Sequence, residues 1–153
     1  MKFNSFADLK KIFDWDLSSL LDEVFKQSEV KGTMIEFNQD QLQDGTDALG
    51  QVISTIGGSP YRAKTVIIKR KKGQPTNKVT LKDTGEFYQT FKVVFVKDGY
   101  EITADFQKGD ENILDNFGSQ YDFMGLDLES LTELCFEVVL PRLGTLLRKQ
   151  IGL

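Results

Sequence analysis

An α+β fold follows from three features of the sequence. Apolar residues recur at helical spacing before residue 43 and again after residue 127. Between them, Lys97-Asp98-Gly99 separates two runs rich in β-branched and aromatic residues, the pattern of a hairpin. The order helix, sheet, helix then places helices at both ends of an antiparallel sheet. With 153 residues, one domain over 1–153 is expected: 1–42 helical, 61–106 forming the sheet, and 111–150 forming C-terminal helices packed on it.

Element by element, Asn4 or Ser5 is placed to cap a short helix with Phe6, Leu9, Ile12 and Phe13 on one face. Asp16 caps a second, whose Leu17, Leu20, Leu21, Val24 and Phe25 form one stripe. Met34 to Leu42 continues helically until the polar stretch 43–51 breaks the pattern. Gly57-Gly58 and Ser59-Pro60 mark turns, and Tyr61 to Arg70 fits helix or strand. Val79-Thr80-Leu81 is expected as a short strand. In the hairpin, Phe91, Val93 and Phe95 share a face with Tyr100, Ile102 and Ala104, and Asp98-Gly99 forms a turn that needs positive φ at Gly99. Glu111 to Phe117 reads as a short helix stopped at Gly118. Asp127 caps the last helix, with Leu128, Leu131, Cys135 (or Leu134), Val138, Leu143, Leu146 and Leu147 inward. Pro141 is expected to kink or split it, since proline removes a backbone donor and crowds the preceding turn.

Composition excludes several classes of function. Hydrophobic residues at 40% and aromatics at 11% describe a chain that folds. A net charge of −4 argues against a dedicated nucleic-acid binder. The single Cys135 forms no internal disulfide, and without histidine a zinc site is not expected. No apolar run reaches membrane-spanning length, and MKFNSFADLKK lacks the apolar core of a signal peptide, so a reducing cytoplasm is the expected place of synthesis.

Catalytic chemistry finds little support. The missing histidine removes the usual general base and the Ser-His and Cys-His pairs. Cys135 falls on an apolar helix face, the setting of a structural thiol. Gly57-Gly58 lacks the lysine and hydroxyl residue of a phosphate loop. Asp110, Glu111, Asp115, Asp122, Asp127 and Glu129 fit no calcium-loop spacing and read as a solvated acidic face. Asp83-Thr84 precedes Gly85 and the aromatics Phe87, Tyr88 and Phe91; with no third member to orient it as an acid and nucleophile, it reads as a capping turn. No catalytic, metal or cofactor site is expected.

Charge is segregated along the chain. Residues 62–82 carry Arg62, Lys64, Lys69, Arg70, Lys71, Lys72, Lys78 and Lys82 with no acid. Residues 98–137 carry Asp98, Glu101, Asp105, Asp110, Glu111, Asp115, Asp122, Asp127, Glu129, Glu133 and Glu137 with one base, Lys108. Either the two tracts are separately solvated, or the basic segment of one copy meets the acidic face of another, head to tail. In the second case Arg62, Lys64, Lys69, Arg70, Lys71, Lys72, Asp110, Glu111, Asp115 and Asp122 make the contact. A nucleic-acid adaptor using the basic segment 62–82 is the alternative, although that segment lacks interleaved aromatics.

A set of ordered positions points further. Gln41, Gly45 and Ala48-Leu49-Gly50 come first, then Tyr61, Thr65 and Lys69. Leu81-x-x-Thr84-Gly85-x-Phe87, Phe117-Gly118 and Phe123-Met124-Gly125-Leu126 follow, ahead of the final helix. In this order and spacing, across 38–140, the chain resembles the neck and tail-completion proteins of tailed bacteriophages, the virion-morphogenesis family typified by the G protein of phage Mu. No single motif carries the resemblance. The family pattern's tryptophan and histidine are missing, and Tyr121-Asp122 stands where that pattern has Arg-Pro.

The resemblance implies a non-catalytic structural protein of the head–tail junction or tail end, assembled in the host cytoplasm, that joins or seals the tail. It implies a homo-oligomeric ring of roughly six or twelve copies, with portal, tail or other neck proteins as partners and no membrane. Genomic DNA would only pass through the lumen, and a sequence pI of about 4.9 would keep it from sticking. Asp83-Thr84-Gly85 becomes the turn that launches the sheet, with Phe87 and Phe91 in the core.

Overall fold

A computed structural model describes residues 16–57, 60–96 and 99–151. The helix expected over Phe6 to Phe13, and residues Gly58, Ser59, Lys97 and Asp98, lie outside the described residues. The fold is α+β. The chain divides into two compact units, one spanning Thr33–Leu131 and the other joining residues up to Gly32 with those from Thr132 onward.

In the latter unit, α1 (Leu17–Phe25) starts where Asp16 accepts from the Ser18 N–H at 3.1 Å and the Ser19 hydroxyl at 2.8 Å. The Ser19 hydrogen bonds hold the Asp16 carboxyl below its usual range. Leu20 and Val24 are buried on its inner face, as their spacing predicts. α1 packs against the C-terminal helical segment from Leu134 onward, within the same unit. That segment runs as α5 (Leu128–Glu133), a π-helical stretch (Leu134–Val139) and α6 (Leu140–Ile151).

Pro141 neither breaks nor ends this run. It withholds the donor that an α-helix would offer the Glu137 carbonyl, and the widened π turn lies directly before it. Arg142 ties the turn down, donating from Nη1 to the Val138 carbonyl at 3.1 Å and pairing through Nη2 with Glu29 at 3.1 Å. The expected inward stripe shifts as a result. Leu134, Val139 and Leu143 are buried and Cys135 is half-buried, whereas Leu131 is exposed and Leu128 is 80% exposed.

Within Thr33–Leu131, the second half of α2 (Ser28–Asp44) turns Met34, Asn38, Gln41 and Leu42 inward. Tyr61 to Arg70 resolves as a helix, α3 (Ala63–Lys71), inside the range expected to be sheet. Asp83-Thr84-Gly85 launches one helical turn, α4 (Glu86–Gln89), with Gly85 at φ +97°, a conformation that glycine adopts without a steric penalty. The Thr84 hydroxyl accepts from the Glu86 N–H at 3.4 Å, so the turn bonds its own backbone, but the capping position is held by Gly85 without a side-chain cap, and a helix rather than a strand follows.

The sheet is two separate antiparallel ribbons. β1 (Lys92–Val96) pairs with β2 (Gly99–Thr103), Val93 opposite Ile102 and Phe95 opposite Tyr100 as expected, but Gly99, expected in the turn, instead opens β2 opposite Val96. β3 (Gln107–Lys108) pairs with β4 (Glu111–Asn112), followed by a 3-10 turn at Ile113–Asn116 where a helix was expected from Glu111.

Val79-Thr80-Leu81 is not a strand. The Thr80 N–H donates to the Tyr61 hydroxyl at 2.8 Å, and its carbonyl accepts from the Tyr88 hydroxyl. Two tyrosines thus take the bonds that a neighbouring strand would have taken. Leu81, at φ +49°, then turns the chain toward Asp83. Phe87 and Phe91 are core residues: their rings meet edge to face at 5.2 Å, and Phe87 also meets Phe106 at 5.1 Å.

Candidate functional site

The segment singled out for its basic charge folds back on itself. Lys69 lies on the inward side of α3, and its ammonium is buried. Its Nζ donates to the Lys82 carbonyl at 2.7 Å, Gln74 Oε1 at 3.2 Å and the Thr80 hydroxyl at 3.4 Å. It also sits 4.6 Å from the Tyr61 ring centroid. Three donors meet three neutral oxygens, so burial leaves none of them unpaired. Burial likewise pushes the Tyr88 phenol up, keeping its hydroxyl a donor to Thr80.

Asp83 ties three segments together. Its carboxylate takes Lys72, from the end of α3, on one oxygen and Lys108, from the β3–β4 ribbon, on the other. Hydrogen bonds from Lys108 first, and then Lys72, hold its pKa at about 2 against an ordinary 3.8. Lys108 is the lone base of the acidic tract and Asp83 the first acid after the basic one.

The clasp borders a cavity of about 580 Å³. Arg62, Lys69 and Lys82 line it together with Asp105, Glu111 and Asp115, so both charged tracts reach one concavity. Tyr61, Val79, Leu81, Phe87 and Phe117 form its apolar lining. The structure thereby gathers Arg62, Lys69, Asp83, Thr84, Gly85, Phe87, Glu111 and Asp115. Lys69 and Lys72, expected on a contact surface, are instead used inside the chain. Lys64, Arg70 and Lys71 stay exposed on α3, and Asp110 and Asp122 are also exposed.

A second polar cluster was not anticipated from sequence. Asp47 is fully buried, its Oδ1 accepting from the N–H groups of Leu49 at 3.0 Å and Gln51 at 2.7 Å, its Oδ2 from that of Asp122 at 3.1 Å. Asn38 donates to the Phe123 carbonyl at 3.1 Å and accepts from the Gly125 N–H at 3.3 Å. Gln41 donates to the Gly125 carbonyl and accepts from the Asp127 N–H, both at 2.9 Å. These amides and the carboxylate hold the 122–127 loop, and every buried side-chain N or O among the described residues has a partner. The Asp44-Gly45-Thr46-Asp47 stretch carried a signal for a backbone-bonding turn, but nothing in it named Asp122 as the third donor.

Among the described residues, no group of carboxylates or thiols converges as a metal site, and no helix is long and apolar enough to cross a membrane. Comparison with protein-family models, with characterised proteins and with solved structures finds no match to this chain.

Proposed function

We propose that this chain is a structural subunit of a tailed-phage virion, acting as an oligomeric ring at the head–tail junction or tail end and catalysing no reaction. The observation that supports it is the distribution of apolar surface. Among the described residues, as many large apolar side chains are exposed as form the core. Val94 and Val96 share one face of the two-stranded β1–β2 ribbon, with Phe95 on the other, and Ile67 and Ile68 adjoin on α3. Leu128, Leu131, Phe136 and Leu140 line the C-terminal helical segment. Apolar side chains left exposed in this number are what a chain that completes its burial against other chains presents. The β1–β2 ribbon packs only through the Val93–Ile102 face, and a two-stranded ribbon is marginal alone. The order of motifs shared with the neck and tail-completion family supports the same reading.

The test is made on particles of the phage that encodes the chain. Mass spectrometry of purified virions is expected to detect it in ring stoichiometry, and its deletion to leave heads and tails unjoined. Joined, infectious particles from the deletion would refute the reading. Retention of the pure protein on DNA, falling steeply with salt, would favour the nucleic-acid adaptor instead.

A further inference from the structure

The exposed face of α3 and an exposed face of the C-terminal helical segment are complementary in charge and both carry apolar centres. Lys64, Ile67, Ile68 and Lys71 follow the spacing that puts side chains on one helical face. Ile67 is 56% exposed and Ile68 42%, between two exposed lysines. In the C-terminal segment the π turn resets the period, so exposed positions recur every four residues, at 132–133, 136–137 and 140–141. That face carries Glu133, Phe136, Glu137 and Leu140, with Phe136 62% exposed and Leu140 48%. None of the ion pairs among the described residues uses Lys64, Lys71, Glu133 or Glu137.

We propose that the Lys64–Ile67–Ile68–Lys71 face of one copy docks on the Glu133–Phe136–Glu137–Leu140 face of a second copy. Isoleucines would meet phenylalanine and leucine at the centre, and lysines would meet glutamates at the rim, the anatomy of a protein interface. A second copy is the occupant because one chain supplies both matching surfaces. The contact is heterologous: each bound pair leaves one basic and one acidic face unused, so addition repeats until the rotation closes a ring or runs on as a filament. This inference rests on the assembly reading above and names its contact.

The experiment exchanges charge between the faces. Lys64→Glu with Lys71→Glu makes both faces acidic; Glu133→Lys with Glu137→Lys makes both basic. Sedimentation velocity and native mass spectrometry at low salt compare each with the parent, with circular dichroism and Tm checking the fold. The parent is expected to assemble, each variant alone to associate about a hundredfold more weakly or worse, and an equimolar mixture to recover assemblies of equal composition. Recovery on mixing is specific, because only unlike variants then present acid to base. If either charge variant fails to fold, Ile68→Ser and Phe136→Ser take its place, each expected to weaken assembly while leaving the monomer's Tm unchanged. A parent that stays monomeric, variants that assemble alone as the parent does, serine variants that assemble as the parent does, or a mixture that stays apart would each overturn the contact. Failure of the virion reading is separate: a chain that assembles through these faces yet is missing from particles keeps the contact and loses the function.

Discussion

Asp47→Ala tests whether one buried carboxylate organises the loops beside α2. The substitution removes the acceptor for three backbone donors, those of Leu49, Gln51 and Asp122. A hydrogen bond to a charged group contributes about 1.5–3 kcal/mol, and a buried donor left unpaired costs about 1–3. Because Leu49, Gln51 and Asp122 are themselves exposed, water can reach part of what is lost, and the low end of the sum applies: about 3–5 kcal/mol. Asp47→Asn keeps one acceptor oxygen for Leu49 and Gln51 but turns an amide donor toward the Asp122 N–H, so about 1–3 kcal/mol is expected. Urea denaturation measures both, read as a shift in midpoint at unchanged slope. Amide exchange should quicken at Asp122 in both variants and at Gln51 in the alanine variant. A loss under about 1 kcal/mol for the alanine variant would refute the idea that these bonds hold the loop. So would an asparagine variant as unstable as the alanine one.

Phe87→Ala and Phe91→Ala should each cost about 3–5 kcal/mol in chemical denaturation, with the double variant less than additive because the rings touch; a loss under about 1 kcal/mol would place them outside the core. Gly99 has φ +153° and open space where a Cβ would stand, so Gly99→Val should cost about 1–3 kcal/mol through backbone strain alone, and an unchanged Tm would contradict that conformation. Asp83 titrates at about 2 rather than 3.8, so its contribution is complete above the ordinary value and disappears as pH falls from about 3.8 through about 2. Lys108→Met and Lys72→Met should each raise the Asp83 midpoint followed by carboxyl NMR, Lys108→Met the more, and an unmoved midpoint in both would dissolve the clasp.

The sequence disclosed what local chemistry decides. The β1–β2 hairpin was legible because alternation on either side of an Asp-Gly signal fixes its register without reference to the rest of the chain. The Asp16 cap and the Leu20–Val24 stripe were legible for a similar reason. Val79-Thr80-Leu81 has strand composition, but a strand needs a partner edge, and the partners here are side chains of Tyr61 and Tyr88. The C-terminal stripe was misplaced because a 3.6-residue period was carried through a π turn; Leu134, Val139 and Leu143 step by five and then four. Lys69 was counted as surface charge, since lysine is almost never buried unless paired, and its pairing depends on a carbonyl thirteen residues away. The cavity was still less legible, because its lining joins segments from Thr55 to Phe117.

Charge segregated along a chain need not remain segregated on its surface. Of the basic tract, Lys72 is spent on Asp83 and Lys78 pairs with Asp44 at 2.8 Å, while Lys69 is buried. Arg62, Lys64, Arg70, Lys71 and Lys82 are exposed and enter none of the ion pairs among the described residues; all but Lys82, which lines the cavity, belong to α3 or its cap. Apart from Lys82, the exposed charge of the tract thus collects on one helix, and that helix also exposes Ile67 and Ile68. This combination separates the assembly reading from the nucleic-acid one. A phosphate backbone would satisfy the lysines and arginines and leave both isoleucines in water. A protein face carrying carboxylates around apolar side chains covers charge and isoleucine together, and burying apolar area contributes about 25 cal/mol per Å² that no phosphate contact supplies. The exposed isoleucines, more than the lysines around them, therefore weigh toward a protein partner.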